Sequence, residues 1–461
     1  MPIPPPVADR LSSQGIDYQI VEDINLAPLH QLCSEDQVNK NQVVNQIVLQ
    51  DSLGRVQVLV PTDCLLDLQQ LCETKGRNLV AVSPDTYLSL AKSHGVDQLP
   101  AIPMSDMPLV VDKRLLKPDQ LFVAVGNSGH YLKLSQAEFA KMVTSADPCD
   151  CCVPLSQLAS SGNDREAVES SVTQFTQLRI KRRLEETLEM PPLPDTAERI
   201  IQLRIDPDAG VGDLAELVEK DPSLAAQVVS WASSPYYAAP GAIRSVHDAV
   251  VRVLGFDLVI NLALGLALGK TLELPKDGPQ GVTPYWQQAV YSAATMEGLV
   301  KAMPADDRPS MGLAYLSGLL SNYGYLILAH IFPPHFAAIN RSIEANPHLD
   351  HFHVEQHMLG VDRETLCSQL MDCWNMPEEV VFGLRWQFHP EQEGEHSVYS
   401  KLMYLSSQLL RSVELTQGPQ HPLPDSLFAE LGLDREDALA VINKVVSQKD
   451  ELISIAKGLA G

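Results

Sequence analysis

The sequence predicts a multidomain protein in which an α+β N-terminal domain, a mixed sheet with helices, precedes an all-α remainder. A chain of 461 residues exceeds what one hydrophobic core usually organises, so two or three domains are expected. Up to about residue 145, short β-rich runs alternate with segments of helical spacing. From Met190 onward, apolar residues recur at helical intervals between Pro, Gly and Asp.

The strand pattern of the first domain (1–145) begins with two β-rich runs, 43–49 and 55–60, which flank Asp51-Ser52-Leu53-Gly54. A short polar turn with glycine between such runs predicts a β-hairpin. Residues 65–71 then have helical spacing. Further short strands are predicted at 109–112, 121–125 and 131–134, so strands outnumber helices.

Residues 146–189 are predicted to connect two folded parts. After a passage rich in Cys, Pro, Ser and Gly, Asp164 can cap a long amphipathic helix that reaches Leu188. Its basic run at 179–183 is followed at once by glutamates, which favours a salt-bridged surface over a nucleic-acid or lipid contact. The apolar stripe needs a partner helix, either from the next domain or from a second subunit, so a homodimer through this helix is one option.

The C-terminal part is predicted to be a helical domain at 190–395 with further helices at 396–461 that complete its bundle. Asp221-Pro222 is typical of a helix start, with Asp as the cap and Pro in the first turn. Ser245 precedes a helix that Gly255 can end. Residues 398–410 and 434–459 also have helical spacing, and a Pro-rich turn at 418–424 separates them.

The charge and hydropathy of the chain limit its partners and location. The formal net charge is −24, and phosphate backbones are bound by clustered Lys and Arg, so broad nonspecific nucleic-acid binding is disfavoured. The longest apolar stretch, 259–268, is shorter than the about 20 residues that a bilayer-spanning helix needs. No N-terminal segment has the pattern of a secretion signal, so we expect a cytoplasmic protein without a membrane partner.

Eight cysteines in a chain of this size predict reduced core thiols rather than a disulfide framework. Cys149, Cys151 and Cys152 form a separate cluster beside Asp147 and Asp150. These thiols could hold a soft metal or act as a redox pair, but no second ligand cluster with zinc spacing accompanies them. The sequence therefore predicts a loop here, and no metal or other cofactor.

Several motifs of residues 1–145 occur in the order found in one enzyme family. They are Val58-Leu59-Val60-Pro61, Leu65-Leu66-Asp67-Leu68, Ala101-Ile102-Pro103, Val110-Val111-Asp112 and Gly129-His130. The region resembles the YbaK and prolyl-tRNA-editing family of aminoacyl-tRNA deacylases, which implies their mixed-sheet fold. In that family a lysine in the strand before the hairpin is implicated in handling the misacylated tRNA end, and the corresponding residue here is Asn45. An amide forms hydrogen bonds but offers no positive charge.

A degenerate deacylase site would lie in a pocket of this domain. The candidate pocket residues are Asn45, Pro61, Asp63, Asp112, Gly129 and His130. Four of these positions also have a local structural explanation. Asp63 can cap the next helix, Asp112 can end a strand, and Gly129-His130 can form a turn.

Residues 186–390 carry a longer series of motifs in a fixed order. They are Leu193-Pro194, Leu214-Ala215-Glu216-Leu217, Asp221-Pro222-Ser223-Leu224-Ala225, Ala232-Ser233-Ser234, Ile243-Arg244-Ser245, Ala249-Val250, Leu254-Gly255, Gly318-Leu319-Leu320, Trp374-Asn375-Met376-Pro377 and Phe388-His389. This region resembles the HDOD domain, the HD-related output domain of bacterial signalling proteins. The resemblance implies an all-α domain in which a bundle like that of HD hydrolases packs beside additional helices.

An HD hydrolase needs imidazole and carboxylate ligands, because its metal must generate hydroxide near neutral pH. The positions that correspond to its ligands carry Gln288, Ser321, Asn322 and Arg363. Arg363 would place a cation where a metal should lie, and His389 alone survives. The adjacent pair His247-Asp248 is interpreted as two polar residues near a helix start. The resemblance therefore implies a metal-free domain without catalytic residues.

Histidines 348, 351, 353 and 357 form a run that superficially resembles a metal-binding tract. A zinc-protease helix has Glu directly after its first His, whereas Val354 follows His353 here. We expect a surface loop that enters a helix.

These observations predict a non-catalytic bacterial signalling protein whose HDOD domain binds other signalling proteins, with the degenerate deacylase-like domain as a ligand sensor. The alternative is an aminoacyl-tRNA deacylase that uses its HDOD domain for dimerisation or regulation, with tRNA as its partner. Restoring lysine at Asn45 would separate the two hypotheses. A cyclic-nucleotide phosphodiesterase is disfavoured by the four substituted HD positions.

Overall fold

The computed structural model describes residues 3–22, 38–103, 107–126, 130–158, 193–239, 241–269, 271–272 and 284–459. The chain divides into two compact units. The first contains Met1–Ser160 together with Ala337–Met358, and the second contains Ser161–Phe336 and Leu359–Gly461. The predicted connector helix at 164–188 lies outside the described residues.

The first unit is built on a mixed sheet. The strands of this unit are β1 Gln19–Glu22, β2 Val43–Asp51, β3 Gly54–Pro61, β4 Cys64–Leu66, β5 Val80–Ala81, β6 Leu109–Asp112, β7 Gln120–Ala124, β8 His130–Ser135, β9 Asp147–Cys149 and β10 Cys152–Pro154. All of them except β4 and β10 belong to the mixed sheet. The sheet order is β1-β8-β7-β2-β3-β6-β9, with β5 paired to β2. The β2–β7, β3–β6 and β6–β9 pairs are parallel, and the others are antiparallel. β4 pairs antiparallel with β10 outside this sheet.

The predicted hairpin is confirmed, because β2 and β3 pair in register out to Asp51 opposite Gly54. Side chains along β2 alternate between two hydrophobic cores, as the period of a strand requires. Val44 and Val48 belong to the core that includes helix residues such as Phe139, whereas Ile47 and Leu49 belong to the core on the other side. The sheet is therefore covered on both faces.

Residues 65–71 do not form the single helix that their spacing predicted. β4 ends at Leu66, and Asp67 caps a helix that begins at Leu68. The Oδ1 atom of Asp67 accepts a hydrogen bond from the Gln70 N–H at 2.9 Å. Pairing with β10 holds the first residues extended, so the helix begins later and Asp67, not Asp63, is its cap.

The described helices account for most of the chain after residue 193. They are α1 Pro5–Ser13, α2 Leu68–Lys75, α3 Pro84–Ser93, α4 Gln136–Met142, α5 Asp195–Ile205, α6 Val211–Glu219, α7 Pro222–Ala232, α8 Val246–Ala249, α9 Phe256–Gly269, α10 Tyr285–Ala302, α11 Met311–Leu320, α12 Tyr323–Ile331, α13 Pro333–Glu344, α14 His351–Leu359, α15 Arg363–Cys373, α16 Glu378–Trp386, α17 Ser397–Ser412, α18 Asp425–Glu430, α19 Arg435–Ser447 and α20 Lys449–Leu459. The predicted fold class, a mixed α+β part followed by helices, is confirmed.

The second unit is a helical bundle around α10. This helix contacts α11, which follows it in the chain, and the three C-terminal helices α17, α19 and α20. α11 approaches α10 closely at Gly318, where a Cβ atom would lie 2.7 Å from the Cα of Ala293. The predicted caps Asp221 and Ser245 are present at the starts of α7 and α8. In the described part of the chain, no helix has both the length and the apolar character needed to cross a membrane.

Candidate functional site

A cavity of about 700 Å³ lies in the first unit. The turn before β2 contributes Asn39 and Asn41, and the segment between β3 and β4 contributes Asp63. The 3₁₀ turn Lys113–Leu116, which follows β6, contributes Arg114, and Lys117 comes directly after it. The cavity thus lies where loops meet at strand ends, a place where chemistry-bearing side chains are commonly exposed.

The cavity wall carries charges of both signs. The Nη1 atom of Arg114 donates to both carboxylate oxygens of Asp112, each at 3.3 Å, and Asp112 is completely buried. Lys117 is exposed and therefore able to meet an anionic ligand. Burial raises the pKa of Asp63, and Arg114 and Lys40 partly offset that rise. Burial also lowers the pKa of Lys40. A bound anion would therefore meet Arg114 and Lys117 beside a carboxyl group with weakened acidity.

The structure brings together some of the predicted pocket residues and separates others. Pro61 and Asp63 line the cavity. Asp112 is not among the described lining residues, but it accepts a hydrogen bond from Arg114, which is. Asn45 lies in β2, where its Nδ2 donates to the Thr62 hydroxyl at 2.7 Å, and it is not among the described lining residues. His130 begins β8 opposite Glu22 and is also absent from that lining, while Gly129 lies outside the described residues.

The basic residues of the cavity were missed at the level of sequence. Lys113 and Arg114 directly follow Asp112, at the end of a predicted buried strand. Basic residues at a strand end were therefore an available signal. The opposite wall of the cavity is formed by the turn before β2, and the local sequence pattern did not predict it.

One wall of the cavity is held by residues from far along the chain. Cys64, in β4, lines the cavity, and β4 is paired with β10 on one edge. On the other edge, the side chain of Asn346 accepts from the Leu66 N–H at 2.7 Å and donates to the Leu66 carbonyl at 3.0 Å. His348 Nε2 lies 3.0 Å from the Cys64 carbonyl oxygen. The segment before α14 was expected to be a surface loop, but at His348 it packs against β4.

The residues that the sequence resemblance assigns to the HD positions lie in the second unit, and their groups bond to or contact protein atoms. Asn322 Nδ2 donates to Gln288 Oε1 at 3.4 Å. The backbone carbonyl of Ser321 accepts from Gln387 Nε2 at 3.1 Å. The buried Arg363 lies with its guanidinium carbon 5.2 Å from the centroid of the Tyr325 ring.

These donor sets do not fit the metal of an HD hydrolase. Amide and hydroxyl groups provide no charge to balance the ion, and a guanidinium repels it. His389 Nδ1 lies 3.2 Å from Glu391 Oε1, and Asp248 Oδ2 lies 3.9 Å from Arg252 Nη1. No hydrolytic step through a metal at these positions follows from the groups present.

The two residues beside Arg363 in the sequence, Asp362 and Glu364, carry buried carboxyl groups. Asp362 caps α15, because its Oδ1 accepts from both the backbone N–H and the hydroxyl of Thr365 at 2.7 Å. Burial raises the pKa of Glu364 to about 8, so its neutral form predominates near pH 7.

Comparison with known proteins finds a different family match in each part of the sequence. The model of the HDOD domain matches residues 190–390, and that of the aminoacyl-tRNA editing domain matches residues 25–142. The solved structure of a "Putative signal transduction protein" from Marinobacter aquaeolei VT8 is 38% identical, with 100% of each chain covered and a TM-score of 0.87. No curated protein matches the chain.

Two more distant solved structures cover 63% of this chain at 19% identity. One is a "Putative phosphohydrolase" from Shewanella amazonensis SB2B, with 98% of that chain covered and a TM-score of 0.49. The other is an HDOD domain protein with unknown function from Geobacter sulfurreducens, with 99% of that chain covered and a TM-score of 0.48. These similarities are too low to transfer an activity.

The fold and the two sites define a class of protein: a mixed-sheet domain of the editing type followed by a helical domain of the HD type. The chain belongs to the family of HDOD proteins that carry an N-terminal aminoacyl-tRNA editing domain. Both resemblances drawn from the sequence motifs are thereby confirmed.

Proposed function

We propose that this protein is a non-catalytic regulator of the bacterial cytoplasm whose HDOD domain acts by binding signalling proteins. The observation that carries the proposal is the Asn322–Gln288 amide hydrogen bond at positions where an HD hydrolase holds metal ligands. A signalling role fits the combination of the two domains and the "Putative signal transduction protein" at 38% identity. Homodimerisation through the connector helix belongs to the same proposal.

The N-terminal cavity serves in this proposal as the sensor of an anionic ligand, the aminoacylated end of an RNA. Arg114 and Lys117 supply positive charge, and the amides of Asn39 and Asn41 supply hydrogen-bonding groups of both kinds. Asn45 bonds to Thr62 and lacks the charge that the deacylase reaction would use in that place. The cavity therefore has groups for binding and lacks the family's lysine.

The segment 337–358 offers a route from this sensor to the HDOD domain. It falls within the HDOD match at 190–390, yet it belongs to the same compact unit as the cavity. Its Asn346 and His348 bond to β4, whose Cys64 lines the cavity. Lys40 interacts electrostatically with both Asp63 of the cavity and Asp350 of this segment. A ligand that moves β4 or Asp63 would act directly on residues of the HDOD sequence.

The test measures binding and hydrolysis of one panel of 3′-aminoacylated RNA minihelices by the purified full chain. We expect saturable binding without turnover above a no-enzyme control. K117A should weaken binding, since it removes an exposed cation of the cavity without disturbing Asp112. K92A, which removes a lysine of α3 elsewhere in the same unit, is the control and should bind as the wild type does.

The same panel decides between the two functions. Turnover that K117A reduces would favour the alternative, an aminoacyl-tRNA deacylase, which the editing-domain match at 25–142 supports. Absence of both binding and turnover would remove the sensor from the proposal. Metal-dependent hydrolysis of bis-p-nitrophenyl phosphate by the wild type would contradict the non-catalytic role of the HDOD domain.

A further inference from the structure

A group of thiols surrounds the buried end of strand β6. Cys149 ends β9 opposite Asp112 in the parallel β6–β9 pair, and Cys152 begins β10. Cys151 lies between these two strands and its backbone N–H donates to Asp112 Oδ2 at 3.1 Å. The exposed fractions are 0% for Asp112 and Cys151, 3% for Cys149 and 4% for Cys152. Four potential metal ligands are therefore enclosed together.

The ligand atoms are spaced closely enough for one ion. One carboxylate oxygen of Asp112 and the sulfurs of Cys151 and Cys152 all lie within 4.8 Å of one another. A tetrahedral ion with metal–sulfur bonds of about 2.3 Å places its sulfurs about 3.8 Å apart. Cys149 is the candidate for a fourth position, because it ends β9 directly opposite Asp112.

A metal ion that binds a thiol displaces its proton, so each bound cysteine would contribute a thiolate. The Cys151 sulfur lies 3.9 Å from Asp112 Oδ2, so a thiol proton now occupies the space between two ligand atoms. An ion at this point would replace protons as the positive charge shared by the cluster.

The basic side chain of Arg114 offsets part of the charge that such exchange would leave. Arg114 binds the Asp112 carboxylate and interacts electrostatically with Cys152. Lys75 and Lys113 interact with Cys149, while they pair with Asp147 at 2.5 Å and Asp150 at 2.8 Å. Three thiolates and one carboxylate around a divalent ion carry a net charge of −2. Arg114 offsets part of that charge, whereas Lys75 and Lys113 already balance Asp147 and Asp150.

We propose that Asp112, Cys149, Cys151 and Cys152 bind one thiophilic divalent cation of the zinc class. Binding converts three thiols to thiolates and releases three protons, with no change of oxidation state. The ion would join the ends of β6, β9 and β10 and thereby fix Arg114, which lines the cavity. This site goes beyond the proposed function and does not depend on it.

Cobalt(II) is the probe, because its thiolate complexes absorb strongly in the near ultraviolet. The full chain is reduced, stripped with a chelator and titrated with Co²⁺, and then with Zn²⁺. We expect one Co²⁺ per chain, a sulfur-to-cobalt charge-transfer band, and loss of that band on addition of Zn²⁺. No band at saturating Co²⁺, or a band that exceeds one ion per chain without saturation, would overturn the proposal.

Variants locate the site. C151S and D112N should weaken Co²⁺ binding, and C151S should also reduce the charge-transfer band. C72S and C373S are matched controls, because Cys72 bonds to the Leu79 carbonyl and Cys373 is exposed in the second unit. They should leave the titration unchanged. Equal binding by wild type and C151S would contradict the assignment.

A measurement on the wild type removes the dependence on variant folding. Zn²⁺ should slow the alkylation of Cys149, Cys151 and Cys152 by iodoacetamide in mild urea, and leave the rates at Cys72 and Cys373 unchanged, as quantified by peptide mass spectrometry. Protection confined to the three clustered thiols supports the site. Equal rates with and without Zn²⁺ at these three thiols would overturn it.

Discussion

Asn346 completes the free edge of β4 by making both backbone hydrogen bonds of Leu66 with its side-chain amide. The Leu66 N–H donates to Asn346 Oδ1 at 2.7 Å, and Asn346 Nδ2 donates to the Leu66 carbonyl at 3.0 Å. Asn346 is 1% exposed and Leu66 is fully buried. One amide thus replaces a residue of a third strand, and it ties the HDOD sequence to a wall of the editing-domain cavity.

Removing this amide should destabilise the first unit. N346A leaves a buried N–H and a buried C=O of Leu66 without partners, and each such loss costs about 1–3 kcal/mol. We therefore expect the free energy of unfolding to fall by at least about 2 kcal/mol. Urea unfolding monitored by far-UV circular dichroism measures this free energy.

N340A is the matched control for this variant. Asn340 lies in α13, is 6% exposed, and has no hydrogen-bond partner for either side-chain atom in the described structure. Its removal should change stability by less than about 1 kcal/mol, because no partner is left unsatisfied. If N340A and N346A had equal effects, the pairing with Leu66 would not be the source of the stability.

His348 should make the first unit sensitive to mild acid. Burial lowers the pKa of His348 to about 4, and its Nδ1 is buried without a hydrogen-bond partner. The unfolded chain gains a proton near pH 6.5, whereas the folded chain gains it only near pH 4. Stability from this group is therefore present above pH 6.5 and is lost as the pH falls toward 4.

The loss between pH 7 and pH 5 amounts to about 2 kcal/mol from this histidine. Urea unfolding of the wild type and of H348Q at both pH values measures it. Glutamine keeps a donor for the Cys64 carbonyl but does not titrate, so its loss between the two pH values should be smaller by about that amount. An identical pH dependence in both proteins would rule out His348 as the titrating group.

The close approach of α10 and α11 should not tolerate a methyl group. In G318A the new Cβ would lie 2.7 Å from the Ala293 Cα and 2.8 Å from its backbone nitrogen, so the helices must move apart. Overpacking of this kind costs about 1–3 kcal/mol. Thermal or urea unfolding of the full chain should show the second unit destabilised.

G212A provides the comparison for G318A. Gly212 lies in α6 and a Cβ there meets nothing within 4 Å. Alanine should stabilise this helix by about 0.5–1 kcal/mol, because it loses less conformational entropy on folding. A destabilisation as large as that of G318A would show that glycine content, rather than helix contact, determines the result.

N45K should not create a deacylase. The Asn45 amide bonds to the Thr62 hydroxyl, which donates in turn to the Val43 carbonyl, and Asn45 is not among the described residues of the cavity wall. We expect no hydrolysis of misacylated tRNA, and a loss of about 1 kcal/mol from the broken hydrogen bond. N45A is the control for that loss. Hydrolysis by N45K but not N45A would show that this position reaches the scissile ester after all.

Much of the fold was predictable because its signals are local. The turn Asp51–Gly54 and the strands on either side of it lie within one short stretch, and the caps Asp221 and Ser245 adjoin the helices they begin. The prediction of one helix over residues 65–71 was wrong, because pairing of β4 with β10 overrides the helical spacing. A strand partner 86 positions away, Leu66 opposite Cys152, leaves no trace in a local pattern.

The sequence by itself determined the two-part fold class, since strand and helix periodicity are evident from residue identity. Only the tertiary structure decided which side chains meet. It placed Arg114 at the cavity, Asp112 beside Cys151 across 39 positions, and Asn346 on Leu66 across 280. Periodicity and capping are properties of neighbouring residues, whereas these contacts depend on strand order and on packing of distant segments, which no local pattern specifies.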